Sequence, residues 1–476
     1  MQTIAIVGGG FSGTVAAINL SRFCRRPLRI FIVNHGYPFG RGIAYNARHS
    51  EHLLNVVARN MSALADCPDD LVEWLAAHPK FSDVPNTKLR ETFLSRSVYG
   101  DYLMDLFQKW CCTPSQSFAS VECIDGEVVD LTLSGDAPVL RLADGRHLRA
   151  DRILLATGNP QPASLCSDGK PFRHPRYAEN PWLNWEFCLP QDKGTPIVLL
   201  GTGLTMVDAF LTLKKLDWQG PLTAVSRNGL LPLSHFKGVE YSDFPPANPE
   251  KLTLTELVSE AECHCAILQA RGENSAIVVD KLRSHTQRIW RNLTIDEKRE
   301  FLQRYKGKWN VLRHRIAREV HAQLSAAIDL GHLQIVRGAV VALQEKSAHS
   351  IAVVLEDPAR RHTELYGGFV INCTGPREAF SASNSGLLRN ILERGWIDAD
   401  DLDLGIRVDT DLRVFNAQGE KSEFLFAMGT ILKGTLWETT AVPELRVQAY
   451  QAAQGLLGAD NLTSVPTELE LIEYQI

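Results

Sequence analysis

Two short apolar runs, about 190 residues apart, each lead directly into a glycine-rich turn. They are Thr3 to Val7, followed by Gly8-Gly9-Gly10-Phe11-Ser12-Gly13, and Ile197 to Leu200, followed by Gly201-Thr202-Gly203-Leu204-Thr205. A strand that ends at Gly-x-Gly and turns into a helix directs backbone N–H groups at a phosphate, and the helix N-terminus adds favourable charge. Two such turns in one chain predict two bound dinucleotides, and hence a flavin enzyme that is reduced by a nicotinamide.

The bulk composition is typical of an ordinary globular protein with more than one domain. The chain has 476 residues, of which 45% are hydrophobic and 22% charged, and its formal net charge is −5. This balance gives no overall basic field, so we expect no nucleic-acid partner and no binding to a membrane. No apolar run approaches the ~18–20 residues of a membrane span, and glycines interrupt the apolar start after a few residues. We therefore expect a cytoplasmic protein.

The ten cysteines are scattered along the chain, with neither Cys-x-x-Cys nor zinc-ligand spacing. We therefore expect no metal site. Flavin disulfide reductases share the plan of two dinucleotide sites but need a redox-active pair of thiols, and their usual motif is absent from this sequence.

The hydrophobic pattern predicts an α/β fold with two Rossmann-like dinucleotide-binding domains, the second inserted in the first. Strands over 3–7 and 28–33 flank a helix over 12–21, and the same pattern recurs over 197–226. Strand-like sequence also fills 121–155, with a turn at Asp144-Gly145.

The domain boundaries follow from changes in this pattern. We predict an FAD-binding domain over 1–160 that resumes over 373–476, and an NAD(P)H-binding domain over 161–372. Helical periodicity and few glycines predict a helical insertion over about 245–330, and strand-like sequence returns over 333–342.

Residues at the ends of the second strand of each unit bear on which nucleotide binds there. Asn34 occupies the position where dinucleotide folds place an acidic residue on the adenosine ribose. Ser226 and Arg227 follow the corresponding strand of the second unit, and a forked guanidinium suits a 2′-phosphate. We therefore expect NADPH rather than NADH, with NADH as the alternative.

Several further segments, taken with the two glycine turns, resemble a family of bacterial FAD/NAD(P)-binding proteins. That family includes FAD-dependent urate hydroxylases and aspartate N-monooxygenases. The segments that carry the resemblance are Gly40 to Tyr45, Leu53 to Val56, Asn60 to Ser62, Gly201 to Asp208, Ser226 to Pro232, Asn372 to Pro376 and Trp437 to Arg446.

The resemblance implies two sets of cofactor contacts. The implied FAD contacts are Gly8, Gly10, Phe11, Ser12, Gly13, Asn34, Arg41, Ala44, Leu53, Asn55, Met61, Val128, Thr157, Gly158, Gly429, Trp437 and Glu438. The implied NADPH contacts are Gly201, Thr202, Gly203, Leu204, Thr205, Ser226 and Arg227. Residues 437–441, at the start of the last helix, are expected to face the flavin ring, where a helix N-terminus stabilises negative charge.

The leading hypothesis is an NADPH-dependent FAD monooxygenase that hydroxylates a small polar substrate with O₂ through a C4a-hydroperoxyflavin. Urate-type ring hydroxylation and amine N-hydroxylation both remain open, and so does the oligomeric state. His235 and Arg315 are the candidate catalytic side chains. The alternatives are a flavin reductase or dehydrogenase without oxygen insertion, and a non-catalytic nucleotide-binding redox sensor.

Overall fold

The computed structural model describes residues 1–113, 117–167, 169–238 and 241–462. The strands are β1 (Gln2–Val7), β2 (Leu28–Asn34), β3 (Ala119–Asp125), β4 (Val128–Ser134), β5 (Ala137–Leu142), β6 (His147–Arg149), β7 (Arg152–Leu155), β8 (Cys166–Ser167), β9 (Lys170–Pro171), β10 (Tyr177–Ala178), β11 (Ile197–Leu200), β12 (Leu222–Ser226), β13 (Leu333–Arg337), β14 (Ala339–Ser347), β15 (Ser350–Glu356), β16 (His362–Gly367), β17 (Phe369–Asn372), β18 (Arg413–Phe415) and β19 (Lys421–Ala427). The α-helices are α1 (Phe11–Phe23), α2 (Asp70–Ala77), α3 (Asn86–Arg90), α4 (Arg96–Cys111), α5 (Leu204–Lys215), α6 (Leu254–Ala270), α7 (Ile277–Leu282), α8 (Thr286–Asn292), α9 (Ile295–Glu300), α10 (Lys306–Arg313), α11 (Arg318–Asp329), α12 (Gly386–Glu393) and α13 (Val442–Leu457).

The first large sheet has the strand order β18-β19-β7-β1-β2-β3. Its strands run parallel except for β18, which pairs antiparallel at one edge. Ile4 and Ile6 of β1 are fully buried, because this parallel sheet is covered on both faces. This sheet takes β19 and the packing helix α13 from the far end of the chain.

The second large sheet has the order β10-β17-β11-β12-β13, and all of its pairings are parallel. Its buried core residues lie between 172 and 373, whereas those of the first sheet lie before 157 and after 379. The predicted α/β class, with two dinucleotide-type units and one inserted in the other, is confirmed. The boundaries at 160 and 372 remain predictions.

The sequence between 333 and 342 forms two strands rather than one. Gly338 separates β13, which joins the second parallel sheet, from β14, which joins an antiparallel sheet with β15 and β16. The expected turn at Asp144-Gly145 joins β5 to β6, with Gly145 at φ +90°.

Helices α6 to α11 form the helical region, and the segment Phe301–Tyr305 between α9 and α10 is π-helical. The region packs against the stretch that precedes α13. The rings of Trp290 and Trp437 stack with centroids 4.8 Å apart, and Trp290 Nε1 donates to the carbonyl oxygen of Gly434 at 2.7 Å. None of the helices that the structure describes is both long and apolar enough to span a membrane.

Candidate active site

The first glycine turn fits a phosphate because the backbone comes too close there for side chains. Gly8 has φ +111°, and a Cβ at this position would overlap the carbonyl oxygen of Ala156. A Cβ at Gly13 would overlap the carbonyl oxygen of Gly8, so α1 begins directly against β1. Gly10 is the N-cap of α1 and, as glycine, leaves the N–H groups of the first turn open to a ligand.

Segments from distant parts of the chain surround this turn. Gly42 packs so closely that its Cβ would lie 2.8 Å from Gly10 Cα, and a Cβ at Gly429 would lie 3.2 Å from Ser12 Oγ. Thr157 Oγ1 is buried without a hydrogen-bond partner in the described part of the chain. A buried unpaired hydroxyl beside a glycine cradle is what an absent phosphate or flavin contact would leave. These residues fit FAD.

Asn34 is already engaged within the protein. Its Oδ1 accepts from the Gly9 N–H at 3.0 Å, and its Nδ2 donates to the carbonyl oxygen of Tyr37. The side chain therefore holds the glycine turn in place, which is a different use from the expected contact to the adenosine ribose. The carbonyl oxygen of Asn34 accepts from the Gly126 N–H at 3.0 Å, which brings the start of β4 at Val128 to the same edge.

Two of the implied FAD contacts are turned towards protein partners. The Arg41 guanidinium pairs with the Asp101 carboxylate and donates to the carbonyl oxygen of Ser97 at 3.3 Å. Leu53 packs against the core of the second sheet and forms a backbone bridge with Ser95.

The second glycine turn repeats the geometry of the first. Gly201 has φ +113°, and a Cβ there would overlap the carbonyl oxygen of Cys373, as Gly8 would overlap that of Ala156. Gly203 is the N-cap of α5, which leaves the N–H groups of its first turn open as well. Thr202 Oγ1 lies 2.8 Å from Ser226 Oγ, which ties the turn to the end of β12.

A second arginine that the sequence did not indicate lies beside Arg227. In the parallel register Ser226 is level with Arg337, and Arg337 Nε donates to the carbonyl oxygen of Arg227 at 3.3 Å. Both guanidinium groups therefore begin at the carboxyl edge of the second sheet, where open α/β sheets bind ligands. Arg337 could have been found from the sequence only by pairing β12 with β13.

A cavity of about 850 Å³, called the cofactor cavity below, connects the two dinucleotide-type units. Its walls come from the segment between 44 and 61, from the second glycine turn, from the helical region and from the N-terminus of α13. Among its lining residues are Ala44, Tyr45, Asn55, Met61, Gly201, Thr202, Gly203, Leu204, Thr205, Ser226, Arg227, Thr440, Ala441 and Val442.

Helix α10 supplies a wall of this cavity that the sequence did not indicate. Gly307, Asn310, Val311 and His314 line the cavity and follow the i, i+3, i+4, i+7 spacing of one helical face. Burial, against the opposing charge of Glu438 and together with the guanidinium of Arg313, lowers the pKa of His314 to about 4, so this imidazole is neutral near pH 7. The helical spacing of these residues is visible in the sequence, but spacing alone does not show which part of the protein that face of α10 contacts.

Trp437 and Glu438 lie against the helical region and are not among the described residues that line the cofactor cavity. Of the described residues in this part of the chain, Thr440, Ala441 and Val442 line the cofactor cavity. Glu438, at φ +65°, accepts from Trp309 Nε1 at 2.7 Å, and its Oε2 lies 3.4 Å from Arg313 Nε. Burial alone would raise the pKa of Glu438, but Arg313 and its other donors outweigh burial and lower it.

His235 and Arg315 line a second cavity of about 270 Å³, called the basic pocket below. It shares Asn55 and Val56 with the cofactor cavity. Its ionisable lining residues are Arg59, Glu91, His235, Lys237, Arg283, Arg313, Arg315, Arg318 and Glu319. Burial and the charge of Arg315 lower the pKa of His235 to about 4, and neutral His235 donates from Nε2 to the carbonyl oxygen of Asn55 at 2.8 Å.

Arg315 is held by protein groups on several sides. Its Nη2 lies 2.6 and 2.9 Å from the two carboxylate oxygens of Asp280, and its Nη1 donates to the carbonyl oxygen of Leu312. The guanidinium also lies 4.8 Å from the ring centroid of Phe236, and the side chain is 1% exposed. This geometry is that of a structural ion pair, and it disfavours the catalytic role expected for Arg315.

Comparison with known proteins bears on the family and on the fold. Residues 5–160 match a protein-family model described as FAD-NAD(P)-binding. No curated protein sequence matches the chain. The ornithine N-hydroxylase of Kutzneria sp. 744, solved with reduced FAD, NADP⁺ and L-ornithine, superposes with a TM-score of 0.64 at 14% identity, over 95% of this chain and 98% of that chain.

This is the fold of flavoproteins with two dinucleotide-binding domains. L-lysine 6-monooxygenase from Pseudomonas syringae superposes with a TM-score of 0.61 at 13% identity, over 96% of this chain and 99% of that chain. The bacillithiol disulfide reductase Bdr of Staphylococcus aureus superposes with a TM-score of 0.50 at 12% identity, over the same shares of the two chains. The fold is thus similar to that of N-hydroxylating monooxygenases and, to a lesser degree, to that of a disulfide reductase.

The cysteines bear on whether thiol chemistry could occur beside the cofactor cavity. All ten cysteines lie in the described ranges and are free. Of these, Cys373 lines the cofactor cavity, and burial raises the pKa of its thiol. A single thiol that stays protonated is a poor nucleophile for disulfide exchange.

Proposed function

We propose that the protein is an FAD-dependent, NADPH-using monooxygenase that hydroxylates a small polar substrate. The observation that carries the proposal is the cofactor cavity, which connects the second glycine turn with Asn55, Met61 and the N-terminus of α13. Such a cavity lets a nicotinamide held at one turn reach a ring held by the other unit. The likeness to N-hydroxylating monooxygenases supports amine N-hydroxylation, with urate-type hydroxylation as the other reaction to test.

The residues around the cavity bind, orient and shield the reactants. Bound FAD supplies hydride acceptance and oxygen activation. The backbone of the two glycine turns would hold the pyrophosphates, and the N-terminus of α13 at Val442, which lines the cavity, would favour negative charge on a reduced flavin. Tyr45, partly buried in the wall, has a pKa raised by desolvation and stays a neutral phenol there.

The two arginines at the carboxyl edge of the second sheet favour NADPH over NADH. Arg227 and Arg337 begin from neighbouring strand ends and so offer two guanidinium groups to one 2′-phosphate. NADH has an uncharged 2′-hydroxyl in place of this phosphate and would need neither guanidinium group.

The basic pocket favours a substrate with an anionic group. Lys237, Arg59 and Arg318 line it, and its mouth adjoins the cofactor cavity at Asn55. Glu91 pairs with both Arg59 and Lys237, so part of this charge is already balanced. We propose that the pocket holds the anionic end of the substrate and that Nδ1 of neutral His235, whose Nε2–H is used by Asn55, accepts a hydrogen bond from a donor group elsewhere on the substrate.

Anaerobic mixing of FAD-loaded protein with NADPH or NADH tests the first half of the reaction. We expect NADPH to bleach the flavin faster than NADH does. Readmission of O₂ with small amino acids, diamines or urate then tests the second half. We expect one of these compounds to raise NADPH consumption and to gain one oxygen atom by mass spectrometry.

The plain reductase is the second candidate, because the disulfide reductase of S. aureus shares the fold. Rapid bleaching by NADPH with no oxygenated product from any compound would favour it over the monooxygenase. No bleaching by either nucleotide would refute both and leave a nucleotide-binding sensor.

A further inference from the structure

The helical region contains a third cavity, of about 400 Å³, called the apolar cavity below. Helices α6, α7, α8 and α10 wall it, together with the tryptophan that precedes α13. Among its lining residues are Leu257, Ala261, Ile289, Trp290, Trp309 and Trp437. Its volume lies within the ~300–1,000 Å³ usual for small-molecule sites, which are also mostly apolar and aromatic.

Helix α10 separates the apolar cavity from the cofactor cavity. Its residues Lys308, Trp309 and Leu312 line the apolar cavity, whereas Gly307, Asn310 and His314 line the cofactor cavity. Val311 contributes to both. The π-helical turn Phe301–Tyr305 leads directly into α10, and such turns occur often at functional sites.

One polar group in the wall lacks a partner. Trp437 is 3% exposed, and its indole N–H has no hydrogen-bond partner within the described ranges. The neighbouring indole groups are satisfied, because Trp290 donates to Gly434 and Trp309 donates to Glu438. A buried donor without an acceptor is unfavourable, and a ligand that brings an acceptor into the cavity would relieve that cost.

We propose that the apolar cavity is a binding site for a small, uncharged carbonyl compound with an aromatic or aliphatic body. The body fills the apolar walls, and the carbonyl oxygen accepts from Trp437 Nε1. This site is separate from the proposed substrate position, and the proposal does not rest on the proposed reaction.

A matched pair of probes tests the site on the FAD-loaded full chain. Acetophenone and ethylbenzene have nearly the same shape, but only acetophenone carries an acceptor. We expect saturable binding of both, followed by tryptophan emission, with acetophenone about two- to tenfold tighter because of one net hydrogen bond. Trp437→Phe keeps an aromatic ring and is expected to abolish this preference.

A substitution that fills the apolar cavity gives an independent test of the binding site. Ala261→Phe on α6 places a ring in the cavity and is expected to weaken both probes at least about tenfold. Ala266→Phe makes the same change at an exposed position of the same helix and is expected to leave binding unchanged. The FAD content of each variant reports on folding. Absence of saturable binding to the wild-type protein, or an unchanged preference in Trp437→Phe, would overturn the proposal.

Discussion

Replacing Arg315 by methionine decides whether this residue acts in the structure or in the chemistry. Arg315→Met keeps most of the side-chain volume but leaves the buried Asp280 carboxylate, 5% exposed, without its counter-charge. Breaking a buried pair from one side costs about 3–5 kcal/mol, and the lost contact with Phe236 adds roughly 1 kcal/mol. We therefore expect urea unfolding, followed by tryptophan emission, to show a loss of about 4–6 kcal/mol.

The double variant Asp280→Leu/Arg315→Met is the matched control. It removes both charges and places apolar groups beside Phe236, so we expect it to lie within about 2 kcal/mol of the wild-type protein. Its substrate turnover, once FAD is bound, should resemble that of the wild-type protein. The reasoning is refuted if Arg315→Met unfolds at the wild-type urea concentration and yet loses hydroxylation, because Arg315 would then act on the substrate.

Four further substitutions test the cofactor sites and the histidine of the basic pocket. Gly13→Ala should force α1 away from the carbonyl oxygen of Gly8, so we expect the purified protein to carry less FAD, measured by its absorbance. Gly201→Ala should keep its FAD and lose NADPH binding. Arg227→Ala should raise the KM for NADPH about tenfold or more and leave that for NADH unchanged, and an equal rise for both would contradict a 2′-phosphate contact. The folded pKa of His235, about 4, lies below its ordinary 6.5, so its contribution to stability is present above pH 6.5 and is lost as pH falls towards 4. About 2 kcal/mol of that loss should occur by pH 5 in urea unfolding and be absent in His235→Gln.

The strands and helices next to the glycine turns could be predicted because short apolar runs and glycines act locally. The sequence predicts a helix after Gly203 with one strand before it and one after it, and α5, β11 and β12 occupy these positions. It could not tell that Gly338 divides one apolar stretch between two sheets, because that choice depends on which strands are already paired.

The cofactor site was predictable where glycine is required and less so where side chains meet. Gly8 and Gly201 contact the backbone that follows distant strands so closely that only glycine fits, and the glycines are visible in the sequence. The orientation of Trp437 and Glu438 depends on Trp290 and Arg313, which belong to a region of ordinary helical pattern. A motif shows that residues 437–441 are near the site, but not which of them face it.

The insertion of one unit within the other has a consequence for the order of folding. Strand β7 lies between β1 and β19, and its Ile153 pairs with Leu425, across more than half of the chain's length. During synthesis the first unit exposes the edge of β7 and the face of α1 that later meets α13, while the second unit is still being made. Pairings so far apart in sequence close slowly, and an uncovered strand edge invites association with other chains. The inserted unit, whose core lies within one continuous stretch, can be complete before its host.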